Sequence, residues 1–201
     1  MKIGVLGLQG DVHEHLERLR DVGVDPVIVK KPQDLAELRG LILPGGESTT
    51  IGKLMRKYEL LEPIRAMGQN GIPLYGTCAG MILLAREIEG GEEPHLALMN
   101  IRVARNSFGR QKDSFETDLS IEGIAGPPFR AVFIRAPHVT SVGDDVEVMA
   151  AFNGRVVAVR QGTLLATSFH PELTDDPRVH EYFVEMCRKA GLPVGGTDSR
   201  L

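Results

Sequence analysis

The chain has 201 residues, 42% apolar and 25% charged, with a net charge of −4 and a pI near 5.9. That length suits one α/β domain whose core needs no cross-links, and an acidic chain with no basic block argues against a nucleic-acid partner. No apolar run approaches the roughly 20 residues of a membrane span, and the apolar start at Met1–Leu8 stops too soon for a signal-peptide core. The two cysteines, Cys78 and Cys187, indicate no disulfide framework and fit a reducing cytoplasm.

In chain order, Lys2 to Gly7 reads as a buried strand. Asp11 is placed to cap a helix over Val12 to Val22, with Val12, Leu16 and Leu19 on one face and Gly23 ending it. Val27–Val29 and Leu41–Leu43 are predicted strands, the latter closed by Pro44-Gly45-Gly46. Ser48 or Thr49 starts a helix through Ile51, Leu54 and Met55, and another helix covers Leu61 to Gln69. Ile72 to Tyr75 is a short buried strand, and Met81 to Arg86 opens a further helix. Alternation of strand and helix to this point predicts a parallel sheet covered on both faces.

Beyond Arg86 the pattern changes. Glu89–Pro94 is a loop, and Leu98–Val103, Phe115–Ile121 and Ala131–Ile134 are strands without helices between them. Val146–Phe152, Val156–Val159 and Leu164–Ser168 continue the strand series, with hairpin turns at Asn153-Gly154 and Gln161-Gly162. Asp175-Asp176-Pro177 starts a helix through Val179, Phe183 and Met186 that ends before Gly191. Residues 1–191 therefore read as one domain, and the polar residues 192–201 as a frayed tail.

Chemistry gathers at three strand ends. Gly76-Thr77-Cys78-Ala79-Gly80, between a strand and a helix, has the form of a nucleophile elbow with Cys in the place of Ser. The two glycines leave room for the backbone to double back. The helix start favours negative charge where the thiol sits. The competing bland reading is a small buried Cys between strand and helix.

Ser168-Phe169-His170-Pro171-Glu172 follows another strand. His170 is placed to take the thiol proton, and Glu172 to hold the other imidazole nitrogen. Pro44-Gly45-Gly46-Glu47-Ser48 is a third strand-end loop, suited to turn an N–H toward a developing oxyanion beside the Ala79 N–H. It lacks the spacing of a Walker loop, and Gly7-Leu8-Gln9-Gly10 lacks the dinucleotide fingerprint.

These motifs together resemble a triad-type (class I) glutamine amidotransferase. Leu8-Gln9-Gly10-Asp11, Gly45–Gly52, Arg105-Asn106-Ser107-Phe108-Gly109-Arg110-Gln111, Ser114-Phe115-Glu116 and Phe133–Pro137 narrow the resemblance to glutaminase subunits of pyridoxal 5′-phosphate synthase, from Lys2 to about Arg188. The resemblance implies a single-domain, flavodoxin-like class I fold: a mostly parallel central sheet, helices on both faces, and added antiparallel strands in the second half. It implies glutamine hydrolysis by Cys78, His170 and Glu172 through a thioester, with Gly46 and Ala79 as the oxyanion hole. Gly46, Glu47, Ser48, Arg105, Ile134 and Arg135 would bind L-glutamine.

The ammonia would pass to a separate synthase subunit in a large hetero-oligomer, which makes the cofactor from a pentose phosphate and a triose phosphate. Gln9, Gly10 and Asp11 would touch that partner. In the free chain the Gly45–Gly46 peptide would rest with its carbonyl toward Cys78. The subunit itself would bind no metal and no cofactor, pyridoxal 5′-phosphate being the product of the complex. A stand-alone γ-glutamyl hydrolase or peptidase on the same scaffold is the alternative. Of the other histidines, His13 and His15 do not share a helix face, His95 and His180 read as surface, and His138 is a candidate for the neighbourhood of the site or partner surface. Cys187 reads as core.

Overall fold

The computed structural model describes residues 1–106, 108 and 114–191. Its centre is a twisted sheet of ten strands. Strands β1 (Lys2–Leu6), β2 (Asp25–Val29), β3 (Leu41–Leu43), β4 (Leu74–Thr77) and β12 (Leu164–Thr167) form a parallel block in the order β2-β1-β3-β4-β12. That is the flavodoxin-like order, in which ligands bind where the connections diverge at the carboxyl ends of the strands.

The sheet continues from β12 into β11 (Arg155–Gln161), β9 (His138–Val142), β6 (Met99–Ala104) and β5 (Ala85–Ile88), while β10 (Glu147–Phe152) pairs with β11. The β11 pairings with β12, β9 and β10 are antiparallel, as is β6 with β9. A separate antiparallel ribbon joins β7 (Ser114–Leu119) and β8 (Phe129–Ile134).

Helices cover both faces because their apolar stripes need somewhere to go. Leu16 and Leu19 of α1 (Val12–Asp21) join Val179 and Phe183 of α5 (Arg178–Ala190) and the Phe129 and Phe133 rings on one face. Ile51 and Met55 of α2 (Ser48–Lys57), Ile64 of α3 (Leu61–Gln69) and Met81 of α4 (Ala79–Leu84) fill the other. The parallel strands are buried on both sides, as β3 and β4 illustrate with no exposed residue.

Several local expectations need correction. Asp11 precedes α1 but its side chain makes no cap bond. The cap of α2 is Glu47, whose carboxylate accepts the Thr49 and Thr50 N–H groups. The helix after the elbow ends at Leu84, and the chain turns extended as β5 instead of continuing to Arg86. Strand β9, just after Pro137, has no counterpart in the predicted elements. Gly23 does end α1, at φ +76°, and Asn153 and Gly154 both take positive φ in the β10–β11 hairpin. The predicted tail at 192–201 lies outside the described residues.

Candidate active site

The elbow is built by backbone packing. Cys78 takes φ 50° and ψ −102° between β4 and α4, a conformation that costs a non-glycine residue of order 1–3 kcal/mol and persists only where neighbours enforce it. A Cβ on Gly76 would lie 2.4 Å from the Gly80 carbonyl, and one on Gly80 would lie 2.1 Å from the Leu43 carbonyl of β3. Both glycines are therefore required by close approach. The Cys78 N–H is pinned to the Thr167 carbonyl of β12 at 2.8 Å, and the thiol sits 3.9 Å from the Ile134 carbonyl.

His170 follows β12 and donates its backbone N–H to the Val132 carbonyl of β8 at 2.8 Å. Its Nδ1 meets Glu172 Oε1 at 2.6 Å inside the protein, with Asp11 Oδ2 at 3.3 Å. Burial alone would lower the His170 pKa. Contacts with Asp11, with the Cys78 side chain and with Glu172 outweigh it and raise it. Burial raises the Glu172 carboxyl in turn, against the pull of His170. These shifts favour opposite outcomes for the pair. The short contact directs the Nδ1–H at the carboxylate, so a positive charge gained by the ring is compensated where it forms. Asp11, His170 and Glu172 each place one ligand-type atom within 4.8 Å of the others, a grouping a cation would also fit.

The Gly45–Gly46 loop is held by the β1–α1 loop. The Asp11 N–H donates to the Gly45 carbonyl at 3.0 Å, and the Glu47 N–H donates to Gln9 Oε1 at 2.8 Å. Gly10, at φ +100°, approaches so closely that a Cβ would stand 1.8 Å from the Gly45 oxygen. The Gly45 carbonyl is thus engaged by the Asp11 N–H. A planar trans peptide sends the Gly46 N–H the opposite way from that carbonyl. The His170 ring lies over Gly45, where any Cβ would meet Cε1 at 2.5 Å.

Cys78, Ala79, His170, Gly46, Glu47, Ser48, Arg105, Ile134 and Arg135 all line one cavity of about 380 Å³, together with Gln9 and Asp11. Clefts of about 610 and 520 Å³ lie elsewhere, one along Arg86–Pro94 and one across Gly68, Asp145 and Thr163. Neither holds a nucleophile with a base, so chemistry and not size selects the site.

The candidate substrate groups carry their own contacts. The Thr50 hydroxyl, then the N–H groups of Thr50 and Thr49, hold the Glu47 carboxyl below its ordinary range, so it stays ionised at the cavity rim. Arg105 forks onto Glu92 at 2.6 and 2.9 Å and donates to Ser48 Oγ at 2.6 Å. Glu92 was not anticipated: nothing in the acidic Glu89–Pro94 stretch distinguishes it. Arg135 is exposed at φ 41°, at the end of a ribbon anchored by the Phe115–Phe133 stack with centroids 4.7 Å apart. Asn106, at φ 44°, also lines the cavity. Of the run that carried the resemblance, Ser107 and Gly109–Gln111 lie outside the described residues.

The bland histidine readings hold only in part. His180 is fully buried and His95 is 5% exposed, so neither is on the surface. His15 is also fully buried, behind the site. His138 is half-buried beside the Phe108 ring, just past the cavity-lining Pro137. Cys187 is core, and burial pushes its thiol up to about 12.

Comparison with known proteins bears on the family and the fold. Residues 5–189 match the model of the SNO glutamine amidotransferase family. The chain is 58% identical over 190 residues to pyridoxal 5′-phosphate synthase subunit PdxT of Geobacillus sp. (strain WCH70), covering 94% of this chain and 98% of that one. It is 55% identical to the PdxT subunit of Pelotomaculum thermopropionicum, covering 95% and 97%. Among solved structures, a crystal structure of a glutamine amidotransferase superposes with a TM-score of 0.88 at 50% identity, over 92% of this chain and 98% of that one. PurLQS from Thermotoga maritima, at 17% identity, TM-score 0.66 and coverage of 92% and 97%, shares the fold alone.

Proposed function

The chain belongs to the SNO glutamine amidotransferase family, and from that premise we propose that it is the glutaminase subunit of a pyridoxal 5′-phosphate synthase. It hydrolyses L-glutamine to L-glutamate and ammonia and hands the ammonia to a synthase subunit. The observation that carries the chemistry is the elbow thiol of Cys78 sharing one cavity with a His170 imidazole held by Glu172 at 2.6 Å.

In this reading His170 Nε2 takes the thiol proton as Cys78 sulfur attacks the side-chain amide carbon of glutamine. The tetrahedral oxyanion is met by the Gly46 and Ala79 N–H groups. Collapse breaks the C–N bond, and the imidazolium gives its proton to the departing nitrogen, releasing ammonia and leaving a thioester. Water, deprotonated by His170, attacks the thioester; the second collapse releases glutamate and restores the thiol. The raised His170 pKa favours the cation that must form in each half-reaction. Glu172 keeps Nδ1 protonated and the ring aimed.

A free amino acid presents an ammonium and a carboxylate, for which Glu47 on one side and Arg105 and Arg135 on the other are the charged groups at the cavity. Ser48 and Ile134 complete the substrate set. No metal or cofactor has a part in these steps. No helix among the described residues is long and apolar enough to cross a membrane, and two unpaired cysteines accord with a reducing cytoplasm.

The partner docks by way of Gln9, Gly10 and Asp11, the segment that grips the oxyanion loop, within a larger hetero-oligomer. The test is ammonia release from glutamine with and without the cognate synthase subunit. The expected result is a rise of at least roughly tenfold on adding it, about 1.4 kcal/mol off the barrier. Full activity in the free chain would favour the stand-alone γ-glutamyl hydrolase instead.

A further inference from the structure

We propose that His15 is a positioning residue for the triad: from α1 it bridges the segment carrying Cys78 and the segment carrying Glu172, and it is held in one neutral tautomer by His180. The inference rests on the glutaminase reading above for its kinetic consequence, but not for its geometry.

His15 is fully buried, and its two ring nitrogens point in different directions. Nε2 lies 3.0 Å from Thr77 Oγ1, the residue immediately before Cys78, and 3.7 Å from Glu172 Oε1. Nδ1 lies 3.0 Å from His180 Nε2 on α5. The Tyr75 ring stands edge-on to both imidazoles, and its hydroxyl is engaged with Thr167. The chain of contacts therefore runs His180, His15, then Thr77 and Glu172 together, and from Glu172 to His170.

Two neutral arrangements satisfy the His15–His180 contact, and the surroundings choose between them. If His15 carried its proton on Nδ1, its bare Nε2 lone pair would face the Glu172 carboxylate. His180 would then have to carry its own proton on Nδ1, which has no hydrogen-bond partner. A buried donor without an acceptor is the rarer and costlier defect. If His15 carries its proton on Nε2, that N–H points into the space shared by Thr77 and Glu172. His180 then donates from Nε2, and only a lone pair is left without a partner on His180 Nδ1.

Burial holds both rings neutral: His15 falls well below its ordinary value, first by desolvation and then by the neighbouring His180 and His170. His180 falls to about 3, by desolvation and then by the nearby Arg18. The second arrangement places a fixed N–H dipole 3.7 Å from Glu172 Oε1, the oxygen that also holds His170 Nδ1. Its positive end favours negative charge on that oxygen, so the carboxylate keeps its place when the imidazole changes charge. The same N–H is 3.0 Å from Thr77 Oγ1, which links this support to the elbow.

The tautomer is read directly by long-range proton–nitrogen correlation spectra of the full chain labelled with nitrogen-15 histidine, assigned with His15→Gln and His180→Gln. The expected result is neutral His15 protonated on Nε2. An Nδ1 tautomer, or a cation at neutral pH, overturns the proposal, whether or not glutamine is hydrolysed. The kinetic arm uses the complex with the synthase subunit. His15→Leu should lower kcat at least about tenfold, the scale of a mispositioned acid–base pair, with KM for glutamine unchanged within about twofold. His15→Gln, whose amide N–H reaches the same place as Nε2, should recover most of that loss. A folded His15→Leu with wild-type kcat, or a His15→Gln no better than His15→Leu, overturns it. Wild-type complex that releases no ammonia would instead defeat the glutaminase reading and leave the tautomer measurement to decide this one.

Discussion

Two glycine-containing loops meet at the same edge of the sheet and are built in opposite ways. The elbow around Cys78 is wedged from below: Gly76 packs on Gly80, and Gly80 packs on the backbone of β3. The Gly45–Gly46 loop is held from the side, by hydrogen bonds to Gln9 and Asp11 and by the exposed Gly10 packed close on the Gly45 carbonyl. Hard packing gives a position that cannot change without unfolding its neighbours. Hydrogen bonds between loops exchange at low net cost. The proposed nucleophile is thus fixed while the proposed oxyanion donor is adjustable, which suits an enzyme whose output should wait for a receiver.

The comparison can be broken first at the thiol. Cys78→Ala and Cys78→Ser should reduce ammonia release by the complex to background, with an unchanged melting curve; wild-type turnover by Cys78→Ala would end the covalent mechanism. The next largest effects should separate the loops by readout. Gly10→Ala pushes a methyl group into the Gly45 carbonyl, so activity should fall about 10²–10³-fold, the cost of one lost oxyanion donor, with a small loss of stability. Gly80→Ala strikes the β3 backbone, so its main effect should be on folding, seen as a lowered Tm or insoluble protein. Equal effects of the two on Tm would erase the distinction.

Arg105→Ala sharpens the substrate side. Removing one charged hydrogen bond of roughly 1.5–3 kcal/mol should raise KM for glutamine about 10–100-fold and leave kcat nearly unchanged. An unchanged KM at saturating partner would confine Arg105 to holding Glu92 and Ser48. The smallest effect concerns acid. His180 has a folded pKa of about 3 against 6.5 unfolded, so between those values the unfolded chain binds the extra proton. Stability then rises with pH across that window and is fully present above 6.5. Thermal scans should show Tm falling as pH drops below about 6.5, by at least about 2–4 °C per kcal/mol lost. His180→Gln should show a shallower fall; an identical slope would reassign the effect to other groups.

Much of this was legible where one physical cue dominated. Helix Leu61–Gln69 matches the expected span residue for residue, because its apolar period is uninterrupted. The three chemical loops were recognisable since each follows a buried strand and carries a residue type that the chemistry needs. Strand β5 was not legible. Ile82–Ala85 is apolar throughout, so no period marks the change from helix to strand at Ala85. Strand β9 is short, mostly exposed on its second half, and begins just after a proline.

His180 reads as surface by residue type, but its spacing says otherwise: His180, Phe183, Val184 and Cys187 stand at helical spacing on one face, and all four are buried. His15 likewise lies four residues before Leu19. A histidine on an apolar stripe is easily discounted, and only tertiary structure reveals what faces it. The grip of Glu92 on Arg105 depends on two loops meeting and leaves no trace in either.

Strand β12 sits in the middle of the sheet, yet among the described residues it is the last strand in chain order. It pairs with β4, some 90 residues earlier, through Leu164↔Leu74 to Thr167↔Thr77, and it delivers His170. A growing chain therefore carries Cys78 long before it has the strand that pins the elbow and brings His170. Until β12 inserts, β4 presents an open, apolar strand edge, and the slow, distant pairing that closes it is also the event that arms the thiol. A half-made chain carries the thiol without the base proposed to serve it.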